Sequence, residues 1–318
     1  MNETKFIKIG LAGLASVALV AAYFVLRPPQ SAPPRELRVS MTPEVIARGK
    51  FIYNVAGDCD SCHGERDFSK FGGPVLLSGS GFLFPPELGL PGKVVASNIT
   101  MDEETGIGAW TDGEKLRAIR EGIGRDGRAL FPMMPYESFR HMSDADAEAL
   151  VAYLNTLPAV PSKRPLTELH FPVSILIKSA PRPVTAPVTA PPDLGKYLVT
   201  IGGCIGCHSQ EDRGALVDGK QYSGGRVFRI GAHKVVSSNI TPDVETGIGR
   251  WTEAAFVKRF HDYREYETTP LPAATRKNFT LMPWLNFSKY SPEELGAIYR
   301  YLRQQKPIPN KVTAHPES

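Results

Sequence analysis

The sequence predicts an all-α protein: two tandem helical domains of similar design behind an N-terminal transmembrane helix. Three observations carry this. An uncharged apolar run opens the chain between Ile9 and Leu26. Beyond residue 42 the chain repeats itself with an offset of about 145 residues. The periodic segments carry helix caps and 3.6-residue spacing, and no sustained alternation demands a sheet.

Taken in order, residues 1–27 read as a membrane anchor. Lys5 and Lys8 precede the apolar run, and a helix of about 18 residues spans roughly 27 Å, close to the bilayer hydrocarbon thickness. Lysines ahead of the span predict a cytoplasmic amino end, with the rest of the chain on the far side of a bacterial inner membrane, in the periplasm. The other reading is a cleaved signal peptide with Val20-Ala21-Ala22 at its cleavage site, but Tyr23-Phe24-Val25-Leu26 continue the apolar run past it. Residues 28–41, with prolines from Pro28 to Pro34, are a spacer.

The first domain spans residues 42–158. Thr42-Pro43 reads as N-cap and first residue of its opening helix. Thr111-x-x-Glu114 is a capping box for a helix through Arg120, and Ser143-x-x-Asp146 opens a last helix with Leu150, Tyr153, Leu154 and Leu157 on one face. Residues 159–192 form a proline-rich linker whose stretch Pro181–Pro192 excludes a regular helix or central strand. Within it, Leu169–Ile177 is apolar enough to pack on a domain. The second domain, 193–308, opens on Asp193 as cap and closes on a helix begun by Ser291-Pro292-x-Glu294, with Leu295, Ile298, Tyr299 and Leu302; residues 309–318 are a tail. The repeat is legible word by word. Arg48-Gly49-Lys50-Phe51 matches Leu194-Gly195-Lys196-Tyr197, and Ser97-Asn98-Ile99-Thr100 matches Ser238-Asn239-Ile240-Thr241. Glu104-Thr105-Gly106-Ile107-Gly108 matches Glu245-Thr246-Gly247-Ile248-Gly249, and Met134-Pro135-Tyr136 matches Met282-Pro283-Trp284.

Composition is that of a globular protein, 42% hydrophobic and 22% charged. The 29 glycines and 28 prolines predict loop-rich domains, as expected where a large cofactor replaces part of the core. The net charge is +4, but residues 1–40 hold five basic and two acidic side chains, so +3 sits there and +1 on the remainder. The basic pI is therefore no sign of a nucleic-acid partner.

The chemistry is concentrated in two copies of Cys-x-x-Cys-His: Cys59 and Cys62 with His63, and Cys204 and Cys207 with His208. These are the only cysteines. The pattern is the attachment signal for c-type haem. Two cysteines one turn apart add to the porphyrin vinyl groups, and the adjacent histidine supplies an axial iron ligand. A zinc site would have to join both copies and would leave the histidines unexplained. A redox dithiol would not explain the histidine after each pair. Two covalently bound haem c groups are thus expected. The sixth ligand must come from elsewhere, and a thioether raises the reduction potential relative to a second imidazole. Met134 and Met282 occur at equivalent positions, each before proline and an aromatic residue. Met133 competes only in the first copy, and His141 and His261 are fallback ligands.

Each half resembles a class I cytochrome c domain, in which glycine and an aromatic residue let the first and last helices cross; Gly49 with Tyr153 and Gly195 with Tyr301 fit those roles. The Ser-Asn-Ile-Thr, Glu-Thr-Gly-Ile-Gly, Trp-Thr and Met-Pro-aromatic pattern is similar to the cytochrome c subunits of membrane-bound alcohol, gluconate and aldehyde dehydrogenases. That resemblance puts Asn98 and Asn239 near a haem propionate; a loop-closing hydrogen bond is the alternative. Subunits of that family often carry three haem domains, and this chain departs from them with two motifs and an apolar run at its amino end; the motifs, the run and the two equivalent methionines together predict a membrane-anchored dihaem cytochrome c, an electron carrier rather than an enzyme by itself. Its donor would be a dehydrogenase or quinol-linked complex, and its acceptor a cytochrome or oxidase. The competing readings are a dihaem redox enzyme such as a peroxidase, which needs an open sixth position, and a haem subunit of a terminal oxidase.

Overall fold

A computed structural model of the chain describes residues 16, 19, 22–212, 214–231 and 233–316. The first repeat contains α1 (Pro43–Phe51), a π-helical stretch (Ile52–Ala56), α2 (Asp60–His63), α3 (Asp112–Glu121), α4 (Tyr136–Phe139) and α5 (Asp144–Leu154). A short α6 (Val173–Leu176) lies in the linker. The second repeat contains α7 (Leu194–Ile201), α8 (Cys204–His208), α9 (Glu253–His261), α10 (Trp284–Phe287) and α11 (Pro292–Arg303).

The helices start where side-chain oxygens can satisfy their first N–H groups. Thr42 accepts from the Val45 N–H, and Asp193 from the Lys196 N–H at 2.8 Å. Thr111 with Glu114 and Ser291 with Glu294 complete reciprocal capping boxes. Ser143 caps α5 without the return bond, because the Asp146 carboxylate is engaged elsewhere: it takes two 2.7 Å bonds from Arg48.

In each domain the first helix crosses the last at a glycine. A Cβ on Gly49 would sit 1.9 Å from the Ala149 carbonyl oxygen, and one on Gly195 would sit 2.0 Å from that of Ala297. The next neighbours are Tyr153 and Tyr301, the residues anticipated for those roles. Leu150 and Leu154 of α5, and Leu295, Ile298 and Leu302 of α11, bury the faces expected of them. The two crossings differ in one respect. Cys59 lies ten residues after Gly49, whereas Cys204 lies nine after Gly195. The π-helical stretch Ile52–Ala56 takes up the extra residue between a fixed crossing and a fixed attachment turn.

The expectation of an all-α fold is corrected. Among the described residues are five two-stranded antiparallel sheets, the longest pairing Val227–Ile230 with His233–Val236. Most of their strands are two or three residues long, too short to produce a period-2 pattern that a sequence could display. The expectation of a transmembrane helix at the start is also corrected: among the described residues no helix is long and apolar enough to cross a membrane. Much of the Ile9–Leu26 run lies outside the described residues, and within it residues 22–26 are helical.

One hydrophobic cluster runs through both domains, from Ile52 and Leu150 in the first to Leu198 and Leu295 in the second. Phe51 meets Tyr290 edge-on with centroids 5.6 Å apart, Phe71 stacks on Tyr263 at 5.5 Å, and Tyr197 donates to Asp146 at 2.7 Å. The linker is strapped along the first domain rather than free. Thr167 bonds Val95, Glu168–Leu169 pairs with Gly92–Lys93, the Val184 N–H reaches Glu121, and the Val188 carbonyl accepts from the Asp144 N–H. The apolar part Leu169–Ile177 is tied to the first domain by backbone pairing at Leu169, while none of its residues is buried and Phe171 and Leu176 stay exposed; Pro181–Pro192 contains no helix or strand.

Gly49→Ala should destabilise the first domain by about 3 kcal/mol, because the helix crossing must open to admit a methyl group against backbone. Thermal unfolding followed by circular dichroism checks this, and Gly203→Ala, whose Cβ would meet nothing within 4 Å, is the glycine control for the cost of a left-handed position alone.

Candidate functional site

Each attachment turn is a short helix entered from a left-handed residue: Asp58 (φ +44°) before Cys59, and Gly203 (φ +62°) before Cys204. The helical turn puts the two cysteines of each pair and the following histidine on consecutive faces of one small element. The His63 N–H bonds back to the Cys59 carbonyl at 2.8 Å. All four cysteines are free thiols, and burial raises their pKa values, that of Cys62 and of Cys204 up to about 12. Among the described residues no group of three or more His, Cys, Asp or Glu side chains could hold a metal ion between them.

The histidines are held identically. Nδ1 of His63 lies 2.8 Å from the Ser97 carbonyl oxygen, and Nδ1 of His208 lies 2.8 Å from that of Ser238. A carbonyl only accepts, so Nδ1 carries the proton and the Nε2 lone pair is left for a metal. Burial depresses the pKa of both rings, which favours the neutral ligating form. The backbone carbonyl of each histidine is fixed too, accepting from the Gly81 N–H and the Gly224 N–H at 2.7 Å.

The repeated Ser-Asn-Ile-Thr words supply those serine carbonyls. Asn98 Oδ1 accepts from the Thr100 N–H at 2.9 Å and its hydroxyl at 2.7 Å, while Nδ2 donates to Thr105 and to the Val160 carbonyl. Asn239 repeats this with Thr241, Thr246 and the Ile308 carbonyl. Both amides are thus spent on closing the loop and on clasping the chain after the last helix. That is the loop-closing alternative. The Glu-Thr-Gly-Ile-Gly words belong to the same clasp. A Cβ on Gly106 would lie 2.4 Å from the Thr100 carbonyl oxygen, and one on Gly247 would lie 2.1 Å from that of Thr241.

The two Met-Pro-aromatic words also share one geometry. Pro135 (φ −81°, ψ 48°) and Pro283 (φ −78°, ψ 58°) each centre an inverse γ-turn, closed by 2.8 Å bonds from the Tyr136 and Trp284 N–H groups to the Met134 and Met282 carbonyls. Met134 and Met282 both pack, half-buried, against the core that the cysteines Cys59 and Cys204 also touch. His261 lies with Nε2 3.0 Å from the Tyr290 carbonyl, so that nitrogen is spent donating to the backbone oxygen.

Sequence reasoning missed Arg66 and Arg226. Arg226 donates to the Gly206 carbonyl at 2.6 Å, and Arg66 reaches the Ser61 carbonyl at 3.4 Å; both carbonyls sit between the paired cysteines. Arg66 follows its motif closely, while Arg226 comes from the far end of a loop, so no alignment of the repeats would pair them. The chain's own residues therefore fit a covalently held haem: two thiols per turn, an imidazole with Nε2 free, and an anchored thioether in each domain.

A model of the cytochrome c family matches residues 46–158. The chain is 31% identical over 243 residues to a protein of Cereibacter sphaeroides described as diheme cytochrome c-type, covering 73% of this chain and 78% of that one. It is 28% identical over 284 residues to the cytochrome c subunit of an alcohol dehydrogenase (quinone) of Gluconacetobacter polyoxogenes, covering 83% of this chain and 57% of that relative. With a nicotinate dehydrogenase component of Pseudomonas putida it shares 33% identity over 241 residues, 69% of this chain but only 19% of the relative. The chain thus spans less than two thirds of the length of these two dehydrogenase relatives.

Asn239→Ala should cost about 2 kcal/mol by leaving the buried Thr241 N–H unpaired and taking from the Ile308 carbonyl its 2.8 Å donor, so that only the longer bond from the Thr241 hydroxyl remains there. A lowered denaturation midpoint with unchanged slope would show it.

Proposed function

This chain belongs to the cytochrome c family, and we propose on that premise that it carries electrons through two haem c groups, from a dehydrogenase to a downstream cytochrome or oxidase. The family binds haem c covalently. A bound haem c supplies a one-electron Fe(II)/Fe(III) couple. The observation that carries the two-haem reading is the duplication of the whole ligand frame, from the serine-held imidazole to the proline-centred methionine turn.

In this reading Cys59 and Cys62 would hold one porphyrin, with His63 and Met134 as the iron's protein ligands. Cys204 and Cys207 would hold the other, with His208 and Met282. The Nδ1 bonds keep each imidazole in one tautomer and orientation, so little reorganises when charge changes at the centre. The γ-turns give the two methionines the same backbone geometry. A site closed on both sides suits outer-sphere transfer and leaves no position for a substrate. Support for a dehydrogenase as donor comes from the relatives, which include cytochrome subunits of alcohol, fructose and gluconate dehydrogenases. Haem attachment in bacteria takes place outside the cytoplasm, so we place the haem domains in the periplasm.

The intact protein should show two haem additions by mass spectrometry that survive acid-acetone extraction; one or none would end the two-haem reading. Oxidised protein should show the near-infrared sulphur-to-iron band, and the reduced protein should bind carbon monoxide poorly. Met134→His and Met282→His should each lower one haem potential, whereas a high-spin haem that reacts with peroxide would replace the carrier by a redox enzyme.

A further inference from the structure

The two repeats part company at the residue that opens each attachment turn. Domain two has Gly203 there, left-handed and with open space around it. Domain one has Asp58 at φ +44°, in a region that costs every residue but glycine backbone energy, although aspartate tolerates it better than most. The carboxylate makes use of the position. One oxygen accepts from the Ser61 hydroxyl within its own turn, and the other accepts from the Asn286 amide of the second domain at 2.6 Å. Asn286 lies in α10, the helix that begins immediately after Met282-Pro283. A single hydrogen bond thus ties the first attachment turn to the second methionine turn.

Apolar contacts between the domains lie close by: Phe51 meets Tyr290, and Leu285, the neighbour of Asn286, closes on Gly72. Asp58 brings a charge among them. Facing it are Arg66 and Asp60 from the first domain and Tyr290 from the second. Cys59, Cys62 and Cys207 also face it, and all three would be thioethers once haem is attached. Ser61, Asn286 and Arg66 favour the ionised form, Asp60 opposes it, and burial outweighs them, raising the carboxyl to about 6.

Resting on the two-haem reading, we propose that Asp58 is a positioning residue for electron exchange between the two centres: its carboxylate clamps the first attachment turn to the helix after Met282, and its charge sets the potential of the haem on the turn it opens. One electron passes between the centres, and no bond forms or breaks. An ionised carboxylate stabilises the oxidised, more positive centre, so reduction of that haem favours proton uptake by Asp58 from solvent. The potential should then fall as pH rises through about 6.

The test uses the full-length holoprotein, with two haems first verified by intact mass; failure at that step strikes the two-haem reading and not this one. Potentials of both haems are titrated from about pH 5 to pH 8, and exchange between them is followed after flash photoreduction. The haem on Cys59 and Cys62 is assigned by comparison with Met134→His. Asp58→Asn keeps an acceptor for Asn286 but removes the charge: the pH slope of the first haem should vanish while exchange persists. Asp58→Gly copies the second domain and Asn286→Leu removes the partner, so in both exchange should slow on the order of tenfold. A first-haem potential that is flat with pH in the wild type, or a slope that survives in Asp58→Asn, overturns the charge role. Exchange unchanged in both Asp58→Gly and Asn286→Leu overturns the clamp.

Discussion

Two short hydrogen bonds, from Nδ1 of His63 to the Ser97 carbonyl and from Nδ1 of His208 to that of Ser238, set requirements that the surrounding structure answers. For an imidazole to present Nε2 in one direction, its other nitrogen must meet an acceptor that does not move. A loop carbonyl is fixed only if the loop is closed on itself. The asparagine clasp achieves that closure, and the glycines of the Glu-Thr-Gly-Ile-Gly words let the backbone come close enough to complete it. The clasp reaches in turn for carbonyls beyond the last helix, at Val160 and Ile308, so that helix is drawn back over the domain. The crossing of first and last helices at Gly49 and Gly195 then becomes the far side of the same closed frame.

The two frames are related by duplication yet are not free of one another. Their apolar residues form one cluster, and Tyr197 of the second domain donates into the Ser143–Asp146 end of α5 in the first. That end is already charged and busy: Arg48 engages Asp146, and Arg120 pairs with Asp144. A tyrosine hydroxyl placed there exchanges water for a charged acceptor, which makes the hydrogen bond stronger than one between neutral groups. The interface therefore combines apolar burial with bonds that specify a single orientation.

How far the sequence could be read follows from the range of each interaction. Caps such as Thr111 with Glu114 and Ser291 with Glu294 span one turn and were legible. So were Gly49 with Tyr153 and the ligand words, because the duplication shows each of them twice. The sheets were not legible: strands of two to four residues carry too little pattern, and their partners lie across loops. Arg66 and Arg226 were hidden for a related reason. They perform one task from unrelated positions in the chain, so neither repetition nor periodicity marks them. Asn98 was visible as a repeated residue, but its role depended on where Val160 returns, which only the folded chain fixes.

The strapped linker changes the physics of how the second domain meets the first. The last tie to the first domain is the bond from the Asp144 N–H to the Val188 carbonyl, and the second domain begins with the cap at Asp193. Residues 189–192, two of them proline, are all that separates these points. The second domain is therefore delivered to its docking face at a high effective concentration, with most of its translational freedom already surrendered by the chain. An interface too weak to hold two separate proteins together can remain closed under such a tether.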